Sequence, residues 1–116
     1  FISMCKNNFK KWYKSAICGD FQFIKQNYEQ YIGSFDQRTY LSGFKNGWTA
    51  LLYSVYNHRH QIANFLFDYE CQFLTQEYHG DLLIPGSSVI FVAIMVNNTK
   101  IIQYFFEQLT QNPKNP

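Results

Sequence analysis

Gly47-Trp48-Thr49-Ala50-Leu51-Leu52-Tyr53-Ser54-Val55 is answered 39 residues later by Gly86-Ser87-Ser88-Val89-Ile90-Phe91-Val92-Ala93-Ile94. Each stretch opens on a glycine, carries a hydroxyl residue two positions on, and runs into an apolar segment with a small residue near its end. The likeness continues, because Asn57 to Phe67 aligns with Val96 to Phe106 at the same offset. Moved backwards, that offset sets Ser54 on Ser15, and Ile62 and Ala63 on Phe23 and Ile24. Three copies of one unit account for most of the chain, and repetition on this length scale marks stacked architectures.

Each unit reads as two short antiparallel helices and a connecting loop. Thr49 and Ser88 stand where a hydroxyl accepts a hydrogen bond from a free main-chain N–H at the start of the first helix. Gly47 and Gly86 permit a turn with φ > 0 just before it. Ser15 and Ala16, Ser54, and Ala93 are small enough for a neighbouring backbone to approach. Phe23/Ile24, Ile62/Ala63 and Ile101/Ile102, followed by Tyr28, Leu66/Phe67 and Phe105/Phe106, give a second helix its apolar stripe. One helix pair cannot bury such a stripe, whereas three stacked pairs do.

These residues carry a resemblance: G-x-T-A-L-x-x-(small), followed at a distance by I-x-x-x-L-F, resembles the ankyrin repeat. The copy from Asn46 to Glu70 matches best, that from Gly86 to Gln108 follows it, and Trp12 to Tyr28 resembles a truncated opening repeat. The resemblance implies an all-α, ankyrin-like helix-turn-helix solenoid of three stacked repeats, forming one domain over residues 1–116. Repeat 1 spans about 9–40, repeat 2 about 41–79 and repeat 3 about 80–112. Departures are visible. The helix-starting proline and the histidine of Thr-Pro-Leu-His are missing from Thr49-Ala50-Leu51-Leu52 and Ser88-Val89-Ile90-Phe91. The period exceeds the family's roughly 33 residues, so the extra length is expected around Tyr31 to Asn46 and Cys71 to Pro85 as long connecting loops. Asn27 replaces an apolar residue, and His58-Arg59 and Asn97-Asn98 replace a Gly-His turn; Asn in the last pair suits a left-handed cap.

Composition bounds the function. The chain has 116 residues, of which 47% are hydrophobic, 20% aromatic and 16% charged, which is too apolar for a disordered tail. Net charge is +2, but Lys6, Lys10, Lys11 and Lys14 concentrate positive charge at the start, among Phe9, Trp12 and Tyr13. Such a stretch is able to touch phosphate or an anionic membrane, although basic residues on the solvated face of a terminal helix are commonplace and that is the favoured reading. Cys5, Cys18 and Cys71 give neither a disulfide framework nor a zinc signature. With no signal peptide and no apolar run longer than the eight residues of Val89 to Val96, an intracellular, cytoplasmic location is expected.

No constellation for catalysis is present, and no cofactor or metal is expected. His58 and His60 form an H-x-H pair that would need Cys71 or His79 as further ligands, and the spacing fits a surface turn instead. Cys18 lacks a histidine to activate it. Asp68/Glu70 and Glu77/Asp81 sit on a helix end and in a loop, away from any pocket for acid–base chemistry.

Binding remains. The resemblance implies a groove made of loop tips and the exposed side of each first helix, with a protein partner as its occupant. Its positions fall on Lys45, Asn46, Trp48, Tyr56 and Asn57, on Ile84, Pro85, Ser87, Met95 and Val96, and on Ile17 and Cys18 of the first copy. Trp48 and Tyr56 are of the types enriched in binding hot spots; alternatively Trp48 packs down on an enlarged loop and Tyr56 is a partly buried ridge. A scaffold or adaptor role follows, with two alternatives: a non-catalytic targeting segment of a larger enzyme, or an anionic-surface binder acting through Lys6 to Lys14. Ile101, Ile102, Tyr104, Phe105 and Phe106 leave the last unit apolar on more than one side, so further repeats in the natural chain or self-association are expected.

Overall fold

The computed structural model describes residues 2–38, 47–71 and 87–111, with side chains described over 9–38, 47–71 and 89–108. Six helices occur among them: α1 (Ile2–Cys18), α2 (Phe21–Tyr31), α3 (Ala50–Tyr56), α4 (His60–Glu70), α5 (Ser87–Met95) and α6 (Thr99–Gln111). Extended pairing among the described residues is limited to one antiparallel bridge, Asp36 with Trp48. The chain is all-α.

The 39-residue offset is written into the backbone. Gly19, His58 and Asn97 are successive equivalents, and their φ angles of 90°, 58° and 56° all lie in the left-handed region. One residue later, the N–H groups of Asp20, Arg59 and Asn98 reach back to the carbonyls of Ser15, Ser54 and Ala93 at 2.9, 2.8 and 2.7 Å. A left-handed residue reverses the chain after the first helix and satisfies a carbonyl that the helix end would otherwise leave open. The expected left-handed Asn97 is observed, and His58 takes the same conformation.

At Gly19 the conformation needs glycine for two reasons. Its φ is one that L-residues seldom adopt, and a Cβ there would stand 3.2 Å from Cδ of Arg59. The Arg59 stem crosses this gap so that Nε donates to the carbonyl of Ile17 at 2.9 Å.

Capping explains where the helices begin. The Thr49 hydroxyl accepts from Leu52 N–H at 3.3 Å, as its position predicts, and starts α3. Asp20 accepts from Phe23 N–H at 3.2 Å and starts α2, and Asn98 does the same for Ile101 at 3.2 Å. Two expectations need correction. α5 is already helical at Ser87, so Ser88 lies within its first turn and does not precede it. Gly47 enters α3 without positive φ, which among the described glycines occurs at Gly19 and Gly33. Gly86 lies outside the described residues.

Two rows of helices result. α1 packs on α3 and α3 on α5, while α2 packs on α4 and α4 on α6; within each pair the two helices also touch. Trp12, Ala16, Leu51, Val55, Val89, Val92 and Ala93 bury the first row. The expected small residues Ser15, Ala16, Ser54 and Ala93 are all buried, which lets these helices approach. The second row is joined through aromatic edges: Tyr28 meets Phe65 at 5.1 Å between ring centroids, and Phe67 meets Tyr104 at 5.0 Å. Near-perpendicular rings at these spacings add to area burial.

Candidate functional site

The first helices end at equivalent places, and their last turns form a column. Ile17, Tyr56 and Met95 are related by the common offset; Ile17 is half-buried, Tyr56 is 47% exposed and Met95 is 51% exposed. Next to them stand exposed Cys18 and half-buried Asn57 and Val96. Asn57 is fixed by donation from its amide to the carbonyl of Tyr53 at 2.8 Å. The column therefore offers one aromatic and one flexible thioether side chain on a backbone held by the hydrogen-bonded turns behind it.

Trp48 does not share this exposure. Only 7% of it reaches solvent, and its ring packs at 5.4 Å on both Tyr53 and Tyr56. Of the two readings of this residue, packing is the one realised: Trp48 supports Tyr56 from below and offers little surface to a partner. Lys45, Asn46, Ile84 and Pro85 lie outside the described residues; Ser87 is the first residue of α5, and its side chain is likewise outside them.

Beneath Trp48 lies a polar knot that the sequence did not announce. Asp36 is 3% exposed; its N–H donates to the Trp48 carbonyl at 2.8 Å and its carboxylate accepts from Arg38 through Nε at 3.1 Å and Nη2 at 2.9 Å. The Tyr53 hydroxyl adds a bond of 2.5 Å. Burial works to raise the Asp36 pKa, but donation from Arg38 and Tyr53 outweighs it and holds the carboxyl below the usual range. The phenol of Tyr13, pushed up to about 12 chiefly by burial, donates to Ser34 Oγ at 3.2 Å nearby.

Glu70, read from the sequence as a helix-end carboxylate, is fully buried. Its Oε1 accepts from Leu51 N–H at 2.9 Å and its Oε2 from Gly33 N–H at 2.8 Å. Burial pushes its pKa up to about 7, opposed by these two main-chain donors. With no solvent contact and both oxygens engaged, it ties α4 to the start of α3 and to the turn after α2. A signal was present: the offset places Glu70 between Tyr31 and Leu109, two apolar positions.

The chemistry candidates are dispersed. His58 and His60 meet edge to face with ring centroids 6.0 Å apart, and burial, then Lys100, then His58 lower the His60 pKa. Among the described residues no group of three His, Cys, Asp or Glu side chains converges as a metal site; His79 is outside them. Cys18 is an exposed thiol. Lys10, Lys11 and Lys14 line an open cavity of about 410 Å³ together with Ser15, Cys18 and Asp20, and the Lys11 ammonium sits 4.9 Å over the Phe23 ring. Among the described residues no helix is long and apolar enough to cross a membrane. No family model matches the chain, and neither a curated protein nor a solved structure does.

Proposed function

We propose that this chain is an ankyrin-like stack of three helix pairs that works inside the cell as a protein-interaction module, a scaffold or adaptor with no chemistry of its own. The observation that carries the reading is the column of Ile17, Tyr56 and Met95, which repeats at 39 residues, half-buried at Ile17 and exposed at Tyr56 and Met95. Binding on a surface whose base is already ordered spares part of the entropic cost of association. Tyr56 is its anchor, with Asn57 as the adjacent hydrogen-bonding group and Lys45, Asn46, Ile84, Pro85 and Ser87 as the flanking positions that the family resemblance implies.

The test is capture of protein partners by tagged 1–116 beside a Tyr56→Ala/Met95→Ala double variant of unchanged helix content. Affinity for any partner recovered should fall at least about tenfold in the variant. Equal recovery by both proteins rejects the column.

A second reading has its own observation, the three lysines around the α1 cavity. An anionic surface held there would be released steeply by salt, as phosphate contacts are, whereas binding centred on Tyr56 would not. Lys10→Gln/Lys11→Gln/Lys14→Gln separates the two: it abolishes retention on heparin or anionic vesicles if this reading is right and leaves the protein partner bound if the first one is.

A further inference from the structure

Charge is sorted along the second helices. The three chain reversals and the turns that follow them, residues 18–23, 57–62 and 96–101, carry His58, Arg59, His60 and Lys100 against a single acid, Asp20, whose carboxylate caps α2. At the far end of the same helices stand Glu29, Asp68 and Glu107, successive equivalents at the common offset and all exposed. From Arg59 to Asp68 the helix rises about 14 Å. That exceeds the Debye length of about 8 Å at physiological salt, so these carboxylates do not neutralise the reversals. Lys100 and His58 both add to the effect of burial in lowering the His60 pKa, which puts the reversals of the second and third pairs within electrostatic reach of each other. Arg59 joins this basic edge to the Tyr56 column. It is exposed, its Nε donates to the Ile17 carbonyl at 2.9 Å, and its stem lies against Gly19. A guanidinium carried by the second pair therefore stands beside the column's first member. The ion pair formed among the described residues joins Arg38 to Asp36 and leaves Arg59 out.

We infer that the segment seated on the Ile17, Tyr56 and Met95 column is an acidic peptide, with an apolar side chain against Tyr56 and Met95 and a neighbouring carboxylate on the Arg59 guanidinium. The inference rests on the reading of the column as a docking surface and adds the partner's chemistry to it. A carboxylate matches the planar fork of an arginine, which holds it through two parallel N–H donors. Because Nε is already engaged with Ile17, Arg59 has given up part of its rotamer freedom before a partner arrives, and less is lost on binding. A basic segment would instead meet like charge at Arg59 and Lys100, which selects against it. A nucleic acid would satisfy Arg59 but offers no aliphatic side chain to Ile17 and Met95.

The experiment selects a phage-displayed library of random heptapeptides on immobilised 1–116, then measures the affinity of the recovered peptides by fluorescence anisotropy. Peptides whose binding is lost in Tyr56→Ala/Met95→Ala should be enriched in Asp and Glu beside an apolar residue. Their Kd should rise at least about tenfold in Arg59→Gln. The same rise should follow when the peptide's own Asp and Glu are changed to Asn and Gln, a change that leaves the protein untouched and decides the matter if Arg59→Gln does not fold. An unchanged Kd for the amide peptides overturns the proposal. So do peptides that depend on Tyr56 and Met95 but carry no excess of acids, an outcome that leaves the docking surface standing. Acidic peptides that ignore Arg59→Gln and are lost in Lys10→Gln/Lys11→Gln/Lys14→Gln overturn it too, because the α1 cavity then holds them. If no recovered peptide depends on Tyr56 or Met95, the column falls as a docking surface and this inference falls with it.

Discussion

The side-chain amide of Asn98 donates to the main-chain oxygen of Val55 at 2.8 Å, across the boundary between two helix pairs. The same side chain accepts from Ile101 N–H, so one residue that is 1% exposed caps α6 and latches it to α3. Arg59, its equivalent one copy earlier, latches through Ile17 but supplies no cap. Asp20, the equivalent before that, supplies a cap. One structural position therefore divides two tasks among three residue types, according to which donors and acceptors each carries.

Replacing Asn98 by Ala should accordingly cost more than a lost cap. Removal leaves the Val55 carbonyl and the Ile101 N–H without these partners in a buried place, and about 3 kcal/mol of stability should go. Urea unfolding measures it; a loss under about 0.5 kcal/mol would show that water replaces both bonds.

The three left-handed turns predict opposite signs for glycine. Gly19→Ala should destabilise by about 1–2 kcal/mol, because the φ of 90° and the Arg59 stem both resist a Cβ. His58→Gly should stabilise by up to about 1 kcal/mol, since it relieves a side chain held at φ 58°. Asn97→Gly should gain less, because Asn tolerates this region. Thermal melts of the three variants rank them, and destabilisation by His58→Gly would mean that its side chain contributes more than its backbone costs.

Stability should depend on pH through two buried carboxylates with opposite signs. The folded pKa of Glu70, about 7, is raised above its ordinary 4.5, so its contribution is complete below pH 4.5 and is lost as pH rises through 7. The loss is on the order of 3 kcal/mol, and Glu70→Gln should flatten the slope between those values. Asp36 is lowered below its ordinary 3.8, so its contribution is present above that value and is lost as pH falls through the folded pKa. Asp36→Asn should flatten only the acid limb. Denaturation midpoints from pH 3 to 8 test both, and an unchanged neutral slope in Glu70→Gln would place the titrating group elsewhere.

Trp48 and Tyr56 should part company. Trp48→Ala removes a buried ring and should cost about 3–4 kcal/mol, while Tyr56→Ala removes an exposed one and should change stability by less than about 1 kcal/mol. Equal losses in guanidinium unfolding would make Tyr56 a packing residue and weaken its candidacy as an anchor.

What the sequence determined by itself was everything that repeats. The offset, the helix-turn-helix unit, the Thr49 cap, the left-handed Asn97 and the small residues of the first row all follow from local rules about caps, φ angles and apolar spacing, each readable within a few residues. Tertiary structure decided what depends on contacts between distant parts. The Asp36 carboxylate meets Tyr53 across 17 positions and Glu70 meets Gly33 across 37, and no local pattern encodes either pairing. Nor does residue type fix exposure. Leu52 and Phe91 are both apolar and occupy one position of the unit, yet one is 1% and the other 42% exposed, because burial depends on the neighbours that arrive in space. Trp48 follows the same logic: an aromatic beside a turn suits a partner or a core equally, and only the approach of Tyr53 and Tyr56 places it in the core.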